Sequence, residues 1–383
     1  MRSQGAASRW KASCRLLAVA TTISAQAWSQ PIEFTAANWD LANAEVKQYL
    51  GRRALIGSAS LKGASFHNGV IEFDLAAEHR RSYPGVLFRV QDDGNYERVY
   101  FRPHRSGHYA DAIQYLPAFR GADSWQLYNG KGYTAGVTLP VYDWVHVRLE
   151  VMGTQARVFV GKEARPVLVI DDLKRGVSRG GLALMAPHDG STHFSNFSYT
   201  STNDLQFGPP PAVVSPAGVI TEWALSQGFR PEQVDAEETP DAQRLEVRWQ
   251  RVKAEPSGLL DISRYVKAFA GTTSCVFART TLHAEKKEVR RLAFGYSDAV
   301  TLILNGRPLY RGSSAYRERD SSFLGAIGLH DSVYLPLEAG ENELIAVIWE
   351  RMGGWGLMAR ELSETDERGV LGRLRTLLGT SGK

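Results

Sequence analysis

The sequence predicts an all-β protein: two tandem antiparallel β-sandwich domains of jelly-roll type, preceded by an N-terminal export signal. Three observations predict it. Short runs alternate apolar and polar residues with a period of two. Turn-forming Gly, Asn, Asp and Pro recur roughly every eight to twelve positions, the spacing of strands in a sandwich. A single proline cluster divides the chain into two such regions.

The first segment sets the expected compartment. Arg2, Arg9, Lys11 and Arg15 form a positive region without an acidic residue, Leu16 to Ile23 is a short apolar run, and Ala25-Gln26-Ala27 is a small-x-small site. That layout predicts a signal peptide over 1–27 and a secreted or periplasmic protein. The apolar run is too short to span a bilayer, and no membrane span is expected elsewhere. The chain has 45 Lys and Arg against 41 Asp and Glu. The four basic residues just named account for the whole excess. No net field is therefore expected to draw the remaining chain to nucleic acid or anionic lipid. Cys14 falls within the signal, which leaves Cys275 alone in an apolar run. Neither an intrachain disulfide nor a Cys-based zinc site is expected, and stability must come from large cores.

The first sandwich is expected over 31–202. Val70 to Leu75 places Ile71, Phe73 and Leu75 on one face and Glu72 and Asp74 on the other. Val86 to Val90, Tyr96 to Arg102, Trp144 to Val151, Ala156 to Val160, Leu182 to Met185 and Phe194 to Tyr199 continue the pattern. Residues 203–217 contain Pro209-Pro210-Pro211, which cannot donate to a strand ladder and stiffen the chain, so they read as a linker. The second sandwich is expected over 218–362. It has strands at 244–248, 275–282, 289–296, 299–304 and 344–349, and a hairpin turn at Asn305-Gly306. Residues 229–243 read as a solvated loop, Asp261 to Phe269 as a possible helical turn, and 363–383 as a charged tail.

Familiar motifs carry a resemblance. Phe34-Thr35-Ala36-Ala37-Asn38-Trp39, Gly69 to Asp74, Pro84 to Arg89, Trp144 to Arg148 and the closing Phe194-Ser195-Asn196-Phe197 resemble the concanavalin A-like lectin/glucanase superfamily in its laminin G-like branch. In the second region, Phe277 to Thr280, Gly295 to Asp298, Leu302 to Gly306, Ala339 to Leu344 and Gly353 to Leu357 resemble the galactose-binding-like jelly roll. The resemblance implies carbohydrate binding, and a fold alone does not imply a reaction.

The sequence has no P-loop and no H-E-x-x-H. The glucanases of the first superfamily carry carboxylates on one strand face. Glu72 and Asp74 match the first two positions, but Ala76 and Ala77 stand where the next glutamate should fall. The pair is thus the candidate for a glycoside hydrolase or lyase. A protein-binding adhesion role is the third class. The densest ligand-type surface lies between residues 96 and 133. There Arg98, Tyr100, Arg102, His104, Tyr115 and Trp125 combine planar rings with forked donors, as sugar recognition requires. Arg98 and Arg102 alternate with Val99 and Phe101, so they are expected to face away from the core. Trp355 sits in a glycine frame that could present it to a sugar. No cofactor is required; calcium is the possible exception, through Asp92 and Asp93 in their turn.

Overall fold

A computed structural model describes residues 30–234 and 245–363. The segment read as an export signal and residues 364–383 of the tail lie outside the described residues.

The chain is all-β. The first sandwich is built from β1 (Trp39–Tyr49), β2 (Arg52–Leu61), β3 (Gly69–Ala77), β4 (Gly85–Asp92), β5 (Asn95–Phe101), β6 (Ile113–Phe119), β7 (Ala122–Asp123), β8 (Thr134–Ala135), β9 (Trp144–Met152), β10 (Gln155–Val160), β11 (Leu168–Ile170), β12 (Gly181–Met185) and β13 (Thr192–Ser201). They form one continuous antiparallel sheet in the order β11-β10-β9-β3-β13-β2-β12-β4-β5-β6-β7, with β1 on β2 and β8 on β6. The sheet is continuous through β2, which pairs with β13 at Leu55 and with β12 at Ala59 and Ser60. Its inner faces bury Trp39, Phe66, Phe73, Phe88, Phe194 and Phe197 in one core.

The alternation holds for the inward residues, but the expectation for the other face of β3 fails. All nine residues of β3 are buried, Glu72 and Asp74 included. A second case is Arg89 on β4, which is fully buried. The β4–β5 register shifts between Phe88 and Asp92, and Arg89 itself has φ of 52°. This irregularity aims the guanidinium inward. It donates to the carbonyls of His67, Gly153 and Gly176 and to Asn68 Oδ1.

Residues 203–217 contain no strand. The second sandwich comprises β14 (Glu222–Leu225), β15 (Gln250–Lys253), β16 (Leu260–Asp261), β17 (Ser274–Ala284), β18 (Glu288–Ser297), β19 (Ala299–Leu304), β20 (Arg307–Ser313), β21 (Asp331–Leu337), β22 (Gly340–Glu350) and β23 (Gly356–Leu362). A six-stranded sheet, β15-β14-β17-β22-β19-β20, packs on a four-stranded sheet, β16-β23-β18-β21. Trp223, Phe294, Tyr296 and Trp355 lie in the shared core. The expected helical turn is a single 3-10 turn, Ile262–Arg264, capped by the Asp261 carboxylate accepting from the Ser263 N–H. The Asn305-Gly306 turn is formed, with φ of 49° and 77°.

Of the region read as a solvated loop, 235–243 lie outside the described residues. Phe229 and Val234 at its start, with Leu245, Val247 and Trp249 beyond it, cover the outer face of the six-stranded sheet over Cys275, Phe277, Ile345 and Val347. Residues 245–248 are thus cover instead of strand, and Leu344 to Ile348 are buried on both faces. Cys275 is a buried free thiol.

The two sandwiches share an interface. Leu127 and Tyr128 of the first pack with Leu259, Ile327 and Met358 of the second. The Tyr128 hydroxyl donates to Glu255 and Asp261, both at 3.0 Å. Lys174 pairs with Glu255 at 2.6 Å. Among the described residues, no helix is long and apolar enough to cross a membrane.

Candidate functional site

Beside this interface the two sandwiches enclose a cleft of about 1520 Å³. Its first wall is the outward face of β5, where the period-two alternation sends Val99 and Phe101 to the core and Arg98 and Tyr100 the other way. Arg102 follows directly at the strand end. These arginines face away from the core as expected, yet they do not reach open solvent. Arg98 and Arg102 are only 6% and 4% exposed, because each is held by fixed acceptors. Arg98 donates to Asp123 at 3.0 Å and to the Tyr83 carbonyl at 2.8 Å. Arg102 donates to the Asp111 carbonyl at 2.7 Å, to the Tyr100 hydroxyl at 2.5 Å, and to Gln114 Oε1. Both guanidinium groups lie over the Tyr100 ring, at 4.7 and 4.9 Å. Burial pushes the Tyr100 phenol above its usual range, so it stays protonated.

Gln114 ties this wall to the next. Its Nε2 donates to the carbonyls of Trp125 and Tyr128, at 2.8 and 2.5 Å. That fixes the loop that carries Trp125, which is half-buried at the cleft and meets Tyr316 of the second sandwich edge-on at 6.2 Å. His104 also lines the cleft, edge-on to Tyr83 at 5.6 Å. Burial, then the charges of Arg105, Arg102 and Arg81, hold its imidazole below the usual range.

The second sandwich supplies the opposite wall through residues 267–273, Tyr316 and Arg317, and 350–353. Asp298 accepts from the backbone N–H groups of Arg351 and Met352, at 2.8 and 3.1 Å, which fixes this last turn. Gly353 has φ of 102°, and a Cβ there would lie 2.3 Å from the Gln126 side chain. Only glycine permits this approach. Glu350 is a buried carboxyl in the wall. Burial, then the Asp298 charge, push it up to about 8. Its Oε1 accepts from the Gly354 N–H, while Oε2 has no partner among the described residues.

Of the ligand residues expected from sequence, the cleft therefore gathers Arg98, Tyr100, Arg102, His104 and Trp125. It excludes two. Tyr115 is fully buried and donates to Glu97 at 2.6 Å inside the first sandwich. Trp355 is fully buried in the second core, its indole N–H donating to the Ile348 carbonyl at 3.3 Å. Neither offers a face to a ligand. Asp92 closes its own turn, accepting from the Gly94 N–H at 2.8 Å and from the Asn95 amide. Asp93 is exposed beside it. Among the described residues no group of three or more His, Cys, Asp or Glu side chains converges as a metal site.

Glu72 and Asp74 lie outside the cleft and are bridged by one imidazole. His146 Nδ1 is 2.8 Å from Asp74 and Nε2 is 3.4 Å from Glu72. Asp74 also accepts from Arg52 and from Asn196, the latter at 2.7 Å. Hydrogen bonding to Asp74 and then Glu72 raises the His146 imidazole to about 9, against an opposing effect of burial. Burial pushes Asp74 upward, but these partners prevail and hold it below the usual carboxylate range. The two carboxylates of β3 and the imidazole of β9 thus form one hydrogen-bonded cluster across adjacent strands.

The second-sandwich residues Tyr316, Arg317, Glu350 and Arg351 escaped the sequence reading. They carry no motif, and the 311–320 segment reads simply as a charged loop. Only the docking of the two sandwiches brings them to the cleft.

No protein-family profile matches the chain, and no curated protein sequence matches it. Solved structures match the fold of part of it. The carbohydrate binding module CBM66 from Bacillus subtilis is 17% identical with a TM-score of 0.34, over 43% of this chain and 96% of that one. A putative glycosyl hydrolase from Parabacteroides distasonis is 14% identical with a TM-score of 0.31, over 43% and 89%. A β-1,3-glucanase from Mycobacterium marinum is 10% identical with a TM-score of 0.29, over 43% and 90%. These are distant likenesses of shape, and they carry no argument about chemistry.

Proposed function

We propose that the chain is an exported carbohydrate-binding protein whose site is the cleft between its two sandwiches. A laminin G-like first module and a galactose-binding-like second module form part of this proposal. One observation carries it. The half-buried ring of Trp125 lines the cleft together with the exposed guanidinium forks of Arg81, Arg120, Arg317 and Arg351. Sugar rings stack their C–H faces on such aromatics and present paired hydroxyls to such forks. Clefts between domains are common ligand sites. All the donors are side chains of the chain itself, so binding should survive dialysis against EDTA. A glycan array tests the proposal, with Trp125→Ala as the control. Retention lost in the variant supports the site, and no retention of any glycan by the parent protein sinks it.

A second reading, glycoside hydrolase or lyase, is favoured by Glu350. Its carboxyl, raised to about 8 by burial and lining the cleft, holds a proton at neutral pH as a general acid does. Release of sugar from a polysaccharide by the parent protein but not by Glu350→Gln would establish it.

A further inference from the structure

We infer that the ligand of this cleft is an anionic saccharide, bearing carboxylate or sulfate groups; the inference rests on the carbohydrate reading just given. The cleft is lined by eight Lys or Arg residues and by two carboxylates, Asp123 and Glu350. Whole-chain composition does not explain this, since basic and acidic residues are nearly balanced.

The internal pairings sharpen the imbalance. Arg98 is matched by Asp123, and Arg102 and Arg105 share Asp111. Arg81, Arg120, Lys267, Arg317 and Arg351 have no ion-pair partner among the described residues, and all five are exposed. They come from both sandwiches, so their fields converge on the space between the walls. The one carboxyl of the second wall, Glu350, is largely protonated at neutral pH and does little to offset them. Low-dielectric walls of one charge sign concentrate counter-ions in a cleft. A neutral sugar gains hydrogen bonds but no charge neutralisation from five unmatched cations, whereas a uronate or sulfated chain gains both.

A single-stranded nucleic acid is the rival polyanion. It binds through successive free aromatic faces on which bases stack. Most rings of the cleft are already engaged: Arg98 and Arg102 cover Tyr100, Arg105 lies 3.8 Å over Tyr109, Arg230 4.5 Å over Phe269 and Arg317 5.1 Å over Tyr316, while Tyr83 meets Tyr100 and His104 edge-on. Trp125 has no cation over it among the described residues, and its face suits a single sugar ring.

The experiment is titration calorimetry with four probes: an oligogalacturonate, its carboxyl-reduced neutral counterpart, a sulfated oligosaccharide and single-stranded oligo-dT. We expect the uronate or the sulfated probe to bind at least about tenfold tighter than the neutral one, and the stronger of the two identifies the anion. Affinity should fall severalfold between about 20 and 200 mM salt, as the screening length shortens from about 20 Å to about 7 Å. Lys267→Gln and Arg351→Gln should each weaken binding about three- to fivefold, the scale of an exposed charge contact. Neither change should lower Tm, because neither side chain has a hydrogen-bond or ion-pair partner among the described residues, and the Arg351 backbone bond to Asp298 is kept. Equal, salt-independent binding of the neutral probe overturns the anionic assignment and leaves the carbohydrate reading intact. Tighter binding of oligo-dT overturns the saccharide class. Binding of none of the four, with no hit on the glycan array, overturns both readings.

Discussion

The Ser297 hydroxyl donates to Gln126 Oε1 at 3.0 Å, joining the first sandwich to the second. The rest of Gln126 is used as fully. Its Nε2 donates to the Leu324 carbonyl at 3.0 Å, its backbone N–H to the Gly353 carbonyl at 2.9 Å, and its own carbonyl accepts from Ile327 at 2.9 Å. Gln126→Leu keeps the volume but strands a buried hydroxyl and a carbonyl. Each stranded group costs about 1–3 kcal/mol. The expected result is a loss of about 2–4 kcal/mol by urea unfolding, with weaker ligand binding because the cleft walls lose their fixed spacing. An unchanged midpoint and unchanged affinity would show that the interface does not depend on this residue.

Arg89 gives a second stability prediction. Its four acceptors, three carbonyls and the Asn68 amide, sit around a fully buried guanidinium. Arg89→Met fills much of the same space but leaves these acceptors unpaired. A loss of about 3 kcal/mol or more is expected, which in a domain of this size lowers Tm by roughly 6–12 °C. Ligand affinity at a temperature where the variant is folded should be unchanged, since Arg89 does not line the cleft.

These two residues show what was legible in the sequence. Alternation places Phe73, Phe101 and Val147 in the core correctly because an inward apolar residue is a local signal. It misjudges Glu72 and Asp74, because a polar residue opposite the core is read as solvated. Here that face is covered and each polar group meets a partner. Arg89 is invisible for the same reason: its acceptors come from three separate segments. The cleft was half legible. The β5 arginines and Trp125 stand close in sequence, whereas Tyr316 meets Trp125 from nearly two hundred residues away. Net charge also misleads, since a balanced chain still gathers cations at one cleft.

The Glu72–His146–Asp74 cluster predicts a pH dependence. His146 holds its proton up to about 9 in the folded chain, against about 6.5 in an unfolded one. Its contribution is therefore complete below about pH 6.5 and is lost as pH rises through 9. Glu350 adds a slope of its own. Its folded value of about 8 lies above the unfolded value of about 4.3, so the unfolded state ionises first and stability falls between about pH 4 and 8. Comparison with variants separates the two. His146→Gln should remove the loss that the parent shows between pH 7 and 9.5. Glu350→Gln should raise the urea midpoint at pH 8 relative to the parent, with little gain at pH 4. A parent and His146→Gln that lose stability in parallel above pH 7 would mean the imidazolium does not hold this cluster.

Trp125 and Trp355 should separate recognition from packing, because the sequence presents both as sugar-stacking candidates and the structure gives them opposite surroundings. Trp355 is fully buried among the residues of the second core, so Trp355→Ala opens a large cavity and should cost about 3–5 kcal/mol. Trp125 is half-buried and meets Tyr316 at the cleft edge, so Trp125→Ala removes a stacking face and little core. It should abolish detectable glycan retention while shifting Tm by no more than a few degrees. The two effects should cross when binding is measured at a temperature where both variants are folded: Trp355→Ala retains affinity despite its low Tm, and Trp125→Ala loses affinity at a nearly normal one. Retention by Trp125→Ala at the parent's level would move the site away from the cleft.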